Sequence, residues 1–502
     1  MTRTLPTLLV LVVALLTTSL CVADDLVRVF FDRDPDVLKM VLSTGFRTVL
    51  HRRGKFIDVV VPQGRLNDLG TRYRTRILQR AMDRYVINLA RRPGWGGYHT
   101  FDELRQKLED WEQRYPLHVS VETIGYGWDT KRGLAHRPVY LTTVGTPAPG
   151  KPAILLLGGI HAREIATVDV ILQIIENILN DDKERKKLDD VVIYAVPCLN
   201  PDGREIVFSG RIWWRKNCRP GHDGRVVGVD LNRNFGHHFG NNPPRGGSSG
   251  APSSETYRGP CAFSEPETRA LQLLLQRKDD IVSSLAFHSY GGFLVVPFGY
   301  NGNWPPHESL YRSVAANITR DTDWNVGTVR ELLGYYSNGR HDDWLYGGIK
   351  NKERVLSFQV EMGDTFFTET RKLPSLAKEV GSVVSHLMSR VSLKPAITLE
   401  TMPPTEDAVR HLALRVQNQR LAPLHGLSIT LISPTGRRYH VASELALAGQ
   451  LRGRGPASIR RLLTLPTEEA TGRFAVTVAW QGGSVIRVID MENSSIRSVL
   501  ED

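Results

Sequence analysis

The sequence predicts an α/β protein in which a large domain, with a mixed, doubly wound sheet and helices on both faces, is flanked by two smaller units. Three observations predict this class. Strand-like and helix-like segments alternate over residues 98–392. Several of these strands are continuously apolar, which is typical of strands covered on both faces. The final stretch, 393–502, instead alternates apolar and polar residues, as in an antiparallel β unit.

The composition is that of an ordinary globular protein. With 502 residues, we expect about three folded units. Hydrophobic residues make up 41% and charged residues 23% of the chain, which excludes a largely disordered, collagen-like or multi-span membrane protein. The 64 basic against 53 acidic residues give a net charge of +11. We interpret this small excess as a solubility feature and expect no nucleic-acid partner.

Residues 1–23 have the features of an export signal. Arg3 supplies a positive charge, Leu5 to Leu16 form a mostly apolar run, and Ala23 can precede a cleavage site. The run is shorter than the roughly 20 residues that span a bilayer. We therefore expect a secreted or periplasmic protein without a membrane span in the mature chain; an uncleaved anchor is the alternative.

Residues 24–95 are predicted to form a small α/β unit with a connecting helix. LVRVFF and FIDVVVP are strand-like, and DVLKMVLSTG and GRLNDLGTRYRTRIL are helix-like. The basic stretch 72–92 continues the helical pattern as far as Pro93-Gly94, which is a break signal. The layout fits either a prosegment that is cut near Arg91-Arg92 or a permanent accessory domain.

The large domain is predicted over 96–392 and begins with the amphipathic helix FDELRQKLEDWEQRYP. A second long helix has the sequence EIATVDVILQIIENILNDD. The predicted strands of its sheet are RPVYLTTVG, AILLLGGIH, VVIYAVPCLNPDG, SSLAFHSY and RVLSFQVE. The C-terminal unit, 393–502, contains four alternating segments that predict a small β-sandwich-like domain: LHGLSITLISPTG, RRYHVAS, GRFAVTVAW and SVIRVIDM.

Chemically reactive side chains follow several of these strands. His161 and Glu164 come after AILLLGGI, His288 ends SSLAFH, and Glu361 ends RVLSFQVE. In an open α/β sheet, ligands bind beyond the carboxyl ends of the strands. Two imidazoles and a carboxylate that leave one position open match the shell of a catalytic zinc ion, which makes water acidic near neutral pH. A single His-x-x-Glu pattern is a weak signal. The prediction of a metal site therefore depends on all four side chains lying at the ends of strands.

A series of ordered motifs extends this pattern. The motifs are Gly159-Ile160-His161-Ala162-Arg163-Glu164, Asn200-Pro201-Asp202-Gly203, Trp214-Arg215-Lys216-Asn217, Gly228-Val229-Asp230-Leu231-Asn232-Arg233-Asn234-Phe235, Ser254-Glu255-Thr256-Tyr257-Arg258-Gly259-Pro260, Phe263-Ser264-Glu265-Pro266-Glu267, Phe287-His288-Ser289-Tyr290, Asp343-Trp344 and Glu361. Together these motifs resemble the zinc metallocarboxypeptidases of the carboxypeptidase A/B (M14) family over roughly residues 98–385, and the N-terminal unit resembles the prosegments of bacterial members.

The resemblance implies one zinc ion per chain, with His161, Glu164 and His288 as its ligands. It also implies that Glu361 is the general base toward the attacking water and then the general acid toward the leaving amine. Arg215 is implied as the group that stabilises the oxyanion of the tetrahedral intermediate.

Further residues are implied to bind the substrate. Asn232 and Arg233 would hold its terminal carboxylate, for which a planar guanidinium is suited because it pairs with both oxygens. Asp230 would orient His161. Tyr335, or Tyr336 beside it, would close over the carboxylate, and Tyr290 belongs to the same substrate-binding set.

The residue before Asp343-Trp344 is the specificity position of the resembling family, and here it is Asp342. An acid there implies a preference for C-terminal lysine or arginine. Arg340 and His341 stand nearby, where small residues are usual. If Arg340 points inward, it can neutralise Asp342 or attract acidic side chains. We therefore expect a basic or mixed preference, with an outward-pointing Arg340 as the other possibility.

Export would permit one disulfide bond. Cys218 and Cys261 lie in polar, loop-like sequence and are predicted to pair, whereas Cys198 follows an apolar strand and is predicted to be a buried free thiol. The family's usual cysteine before Ser-Glu-Thr-Tyr is replaced by Ser253.

The sequence thus predicts a zinc carboxypeptidase, made as a zymogen and monomeric, that acts on peptide or protein C-termini. Two alternatives remain at this point. One is a zinc peptidase or amidase that trims cell-wall stem peptides, and the other is a non-catalytic binding protein on the same fold.

Overall fold

The structure is a computed structural model, and the chain separates into two compact units, 1–85 and 86–502. It describes residues 25–30, 41–79 (except 42, 45, 53, 54, 63, 71 and 72), 96–241, 247–349, 354–401, 410–450 (except 420, 422, 423, 448 and 449), 458–465, 473–490 (except 481 and 482) and 498–499. The predicted export signal, the Arg91-Arg92 site and most of DVLKMVLSTG lie outside the described residues.

The first unit contains a four-stranded antiparallel sheet in the order β2-β3-β1-β4. Its apolar core includes Val27, Val29, Ile57 and Val59. Its elements are β1 (Asp25–Phe30), β2 (Arg47–Arg52), β3 (Phe56–Val61), the short helix α1 (Asn67–Gly70) and β4 (Thr75–Gln79).

The prediction of helix through residues 72–92 is wrong at Thr75–Gln79, which form β4. Basic and β-branched residues alternate through Arg74, Thr75, Arg76 and Ile77. This period of two and the two β-branched residues favour a strand. Pairing with β1 satisfies the backbone hydrogen-bonding groups of this segment. This tertiary pairing favours the strand over the helix.

The second unit contains the predicted mixed sheet, with eight strands in the order β11-β10-β12-β9-β7-β8-β6-β5. The central strands β12, β9, β7 and β8 are mutually parallel, and antiparallel pairs join β6 to β8 and β10 to β12. The strands are β5 (Val119–Tyr126), β6 (Pro138–Val144), β7 (Ala153–Leu157), β8 (Val192–Val196), β9 (Ile281–His288), β10 (Phe293–Val296), β11 (Asn325–Thr328) and β12 (Leu356–Glu361).

Helices bury apolar faces around this sheet. Two of them, α4 and α11, pack against each other. The helices are α2 (Phe101–Arg114), α3 (Trp128–Lys131), α4 (Ala166–Asn180), α5 (Asp182–Lys186), α6 (Pro201–Phe208), α7 (Pro266–Arg277), α8 (Glu308–Ile318), α9 (Val329–Leu333), α10 (His341–Gly347) and α11 (Leu373–Val391). Short 3₁₀ turns cover Lys187–Asp189, Leu231–Arg233 and Thr370–Lys372.

The C-terminal residues form two antiparallel sheets, in the orders β13-β14-β17 and β16-β15-β18-β19-β20. Buried residues from both sheets, such as Leu414, Leu431 and Phe474, belong to one apolar cluster, so the sheets pack face to face. The strands are β13 (Ala396–Thr401), β14 (Arg410–Gln417), β15 (Leu424–Ile432), β16 (Arg438–Leu447), β17 (Ser458–Leu465), β18 (Arg473–Trp480), β19 (Gly483–Asp490) and β20 (Ser498–Val499).

Cys198, Cys218 and Cys261 are all unbonded, so the predicted Cys218–Cys261 bridge is absent. Cys218 is buried, whereas Cys261 is exposed on a loop, so the two thiols occupy different environments. Cys198 is a buried free thiol, as predicted. Among the described residues, no helix is both long and apolar enough to cross a bilayer.

Candidate active site

Three neighbouring strands bring the predicted metal ligands together. β9 lies between β7 and β12 in the sheet. His288 is the last residue of β9 and pairs in register with Glu361, the last residue of β12. His161 and Glu164 lie in the turn that follows β7, where the Glu164 amide donates to the His161 carbonyl at 3.1 Å. All four side chains therefore meet at the carboxyl edge of the sheet.

The His161 turn is held by the segment that carries Arg215. The Ala162 amide donates to the Arg215 carbonyl at 3.0 Å, and the Asn200 side-chain amide donates to the carbonyls of Ile160 and Lys216. These bonds tie the turn after β7 to a segment about fifty residues later in the chain, which is how Arg215 comes to lie beside it.

His161, Glu164 and His288 form a buried group that could bind a metal ion. The His161 Nδ1 atom lies 2.8 Å from Glu164 Oε1 and 3.1 Å from His288 Nδ1, and His288 Nδ1 lies 3.0 Å from Glu164 Oε2. Tetrahedral bonds of about 2.0–2.1 Å separate ligand atoms by about 3.3 Å. The three donors therefore fit a zinc ion, and their chemistry, two imidazoles and a carboxylate, suits it.

Asp230 links the histidine to two arginines. Its Oδ1 lies 3.3 Å from His161 Nε2, and its Oδ2 accepts from Arg215 at 3.0 Å. It also accepts from the Asn232 amide, so it caps the 3₁₀ turn Leu231–Arg233. Burial opposes ionisation of this carboxyl, but the positive charges of Arg215 and Arg233 hold its pKa well below the usual range.

Asn232 and Arg233 are both buried in that turn. The Arg233 guanidinium donates to the carbonyls of Asn232 at 2.8 Å and Gly247 at 3.1 Å. Burial lowers the Arg233 pKa from its ordinary value, although the group stays charged in the physiological range. The Asn232 amide nitrogen lies 3.5 Å from His288 Nε2, so the turn adjoins the metal-binding group.

Glu361 lies beside the metal-binding group rather than in it. Burial, followed by the negative charge of Glu164, raises its pKa above the ordinary value, while Arg340 and Arg215 act in the opposite direction. A carboxyl group whose ionised form is destabilised in this way is a stronger base once it is ionised.

The two predicted tyrosines differ in environment. Tyr335 is 44% exposed and follows the left-handed Gly334 that ends α9. Its hydroxyl interacts electrostatically with Arg233 and Glu361. Tyr290 is buried, and its ring packs edge-to-face on Phe366 with centroids 5.0 Å apart. The predicted role of Tyr290 in substrate binding stays a prediction.

The position predicted to set specificity, Asp342, belongs to a buried ion pair. Arg340 Nε and Nη2 donate to the two carboxylate oxygens of Asp342 at 2.9 and 2.8 Å, so Arg340 points inward. The Gln359 amide also donates to Asp342, at 3.0 Å. Gln359 is not among the residues predicted from the sequence; its place inside the apolar strand β12 is the signal that marks it, because a buried amide there needs partners.

This arrangement is that of a metal-dependent hydrolase site on an α/β sheet. A family model described as zinc carboxypeptidase, Peptidase_M14, matches residues 104–381, which is more than half of the chain. The chain belongs to this family of metallocarboxypeptidases.

Proteins with similar sequences include named carboxypeptidases. The chain is 30% identical over 284 residues to zinc carboxypeptidase A 1 of Anopheles gambiae, covering 54% of this chain and 63% of that protein. It is also 30% identical over 282 residues to carboxypeptidase B of Astacus astacus, covering 54% of this chain and 88% of that protein. The match thus spans less than two thirds of the mosquito relative.

Solved structures support the fold. Thrombin-activatable fibrinolysis inhibitor superimposes with a TM-score of 0.60 at 24% identity, covering 74% of this chain and 98% of that one. The bovine form, solved with tick carboxypeptidase inhibitor, gives a TM-score of 0.51 at 27% identity, covering 58% of this chain and 96% of that one.

Proposed function

We propose that this protein is a zinc-dependent carboxypeptidase that hydrolyses the last peptide bond of peptides or proteins with a free C-terminus. The observation that carries the proposal is the convergence of His161, Glu164 and His288 with Glu361 and a buried arginine at one edge of the sheet. An exopeptidase of this kind needs a cation for the terminal carboxylate and a hydrolytic centre one residue away.

In the proposed mechanism, Arg233 and Asn232 bind the terminal carboxylate of the substrate. A buried guanidinium favours this binding because little water competes for the carboxylate. Tyr335 is exposed and follows Gly334, the left-handed residue that ends α9, and in this mechanism it moves over the bound carboxylate. These three residues would set which peptide bond lies beside Glu361.

Glu361 would accept a proton from the attacking water and then deliver it to the leaving amine. Zinc held by His161, Glu164 and His288 would supply Lewis-acid polarisation and make the water more acidic. Arg215 would stabilise the oxyanion, because Asp230 holds its Nε and Nη2 and so fixes the guanidinium beside the site.

We also propose that the protein is exported and made as a zymogen, with 24–95 as its prosegment. Support comes from the apolar run in residues 1–23 and from the separate core of the first unit. N-terminal sequencing of active secreted protein should give a start near residue 96. A fully active protein that starts only near residue 24 would show that the unit is a permanent domain. The proposed mature protein is a monomer.

The preference for a basic C-terminal residue does not follow from Asp342 alone, because Arg340 already pairs with both of its carboxylate oxygens.

The function is tested with a peptide whose C-terminus is either free or amidated. The wild-type protein, loaded with zinc, should release the last residue only from the free peptide. Glu361→Gln should lower kcat by about 10²–10⁴-fold, the usual contribution of a general base, while binding zinc as before. The exposed Glu122→Gln serves as the matched control. Equal cleavage of the amidated peptide would contradict the exopeptidase assignment.

A further inference from the structure

The structure places an arginine of the chain itself, Arg340, against Asp342, the acid at the position that the sequence predicts to set specificity. Arg340 and Asp342 are 3% and 0% exposed and make a two-point contact, with donor–acceptor distances of 2.9 and 2.8 Å. Building on the proposed function, we propose that this internal pair removes the preference for basic residues. The enzyme then acts on substrates whose C-terminal side chain is uncharged.

The contact is the one that a C-terminal arginine of a substrate would have to make. A guanidinium binds a carboxylate best through two parallel hydrogen bonds, and Arg340 already provides both. The third donor, the Gln359 amide at 3.0 Å from Oδ1, occupies a further acceptor position of Asp342. A basic side chain entering the pocket would therefore meet a neutralised acid and a second positive charge.

The fold makes room for Arg340 to point inward. A Cβ atom at Gly299 would lie 2.6 Å from Arg340 Cδ and 2.5 Å from the Ser337 carbonyl. The absence of a side chain at position 299 therefore permits the inward conformation. Arg340 also immediately precedes α10, the helix that carries Asp342, so both partners are fixed to one rigid element.

Two other titratable side chains of α10, Asp343 and His341, already have hydrogen-bond partners. Asp343 accepts hydrogen bonds from the backbone amides of Gly299 and Tyr300 at 2.9 to 3.1 Å. The His341 Nδ1 atom lies 3.9 Å from Asp342, and Gln359 lies between them at 3.1 Å from the same nitrogen. The pair itself carries no net charge, so neither a lysine nor a glutamate side chain finds an unpaired partner in it.

The test compares three peptides that differ only in the last residue, which is leucine, arginine or glutamate. The wild-type protein should show the highest kcat/KM for leucine. Arg340→Gly frees Asp342 and opens space, and should raise the arginine-to-leucine ratio by about tenfold or more. Arg340→Met frees the charge but retains the bulk, so it separates charge from volume. Asp342→Asn leaves Arg340 unpaired and should raise the glutamate-to-leucine ratio instead.

Binding of N-acetyl-leucine, N-acetyl-arginine and N-acetyl-glutamate, measured by calorimetry, ranks the pocket independently of hydrolysis. If no peptide is cleaved but these ligands bind in the expected order, the proposed function fails and the pocket proposal stands. A wild-type protein that prefers arginine about tenfold over leucine, in cleavage or in binding, would overturn the pocket proposal. An unchanged ratio in folded Arg340→Gly and Asp342→Asn, checked by circular dichroism, would do the same.

Discussion

At the scale of single residues, Glu267 is a carboxyl group that the fold keeps away from water. It is fully buried at the start of α7, next to the buried Glu265. The Asn217 amide donates to both carboxylates, at 2.8 and 3.1 Å. Burial, and after it the negative charge of Glu265, raises the pKa of Glu267 well above its ordinary value. One amide between two acids suits a state in which one of them is protonated.

This shift predicts how stability depends on pH. The unfolded chain ionises Glu267 from about pH 4.3, while the folded chain retains the proton. The folded state therefore binds more protons, and the free energy of unfolding falls as pH rises above about 4.3 toward the raised pKa. Glu267→Gln removes this loss, so the variant should be about 1 kcal/mol more stable than the wild type at pH 7–8 and gain little at pH 4.

Urea unfolding at pH 4 and pH 8 measures the effect. Glu122→Gln, at an exposed position in β5, is the matched control and should change stability by less than about 0.5 kcal/mol at both values. A Glu267→Gln advantage that shrinks as pH rises would contradict the prediction.

At the scale of elements, the turn before α10 packs against Arg233. Gly339 has φ +68°, and its carbonyl accepts a hydrogen bond from the Phe235 amide at 3.0 Å. A Cβ atom there would lie 2.3 Å from the carbonyl oxygen of Arg233. The turn thus packs directly on the residue proposed to bind the substrate carboxylate, and only glycine meets both the conformational and the steric requirement.

Gly339→Ala should therefore cost more than backbone strain. Gly224 has φ +76° and nothing within 4 Å of its would-be Cβ, so Gly224→Ala measures the strain alone, about 1–2 kcal/mol. Gly339→Ala should exceed that by at least about 1 kcal/mol and raise KM, because Arg233 has to move. Thermal unfolding and peptide kinetics on both variants test this, and equal effects would contradict it.

Several helices and strands lie where the sequence patterns predict them. The long apolar strands β7, β8 and β9 and the helices α2 and α4 lie where their periodicity predicts them. The four-residue strands β10 and β11 are absent from the predicted set, since they are too short to show a period. The helical prediction for segment 75–79 fails because its pairing partner lies some fifty residues earlier, which local propensity does not register.

At the scale of the whole molecule, the site joins parts of the chain that are far apart. His161 and His288 are 127 positions apart, yet their nitrogens lie 3.1 Å from each other. The sequence predicts this meeting because parallel strands end at one sheet edge. It leaves the direction of Arg340 open, since that depends on space at Gly299, which only the tertiary structure reveals.

Because these ligands meet only in the folded chain, zinc should stabilise the whole second unit. An ion that binds the folded state alone adds about 2.7 kcal/mol at a free concentration 100 times its Kd. Removing the metal with a chelator should lower Tm, and zinc should restore it at one ion per chain. His288→Ala should abolish this response, whereas His222→Ala, at an exposed position, should retain it.

Calorimetric scans with and without chelator, together with metal analysis, distinguish this linkage from nonspecific binding. Nonspecific zinc binding to exposed histidines would also occur in the unfolded chain and would raise Tm little in either variant. A wild-type Tm that is the same with and without zinc would mean that the two histidines and Glu164 do not share an ion in the folded protein. The proposed hydrolytic mechanism would then have no metal ion to activate the water.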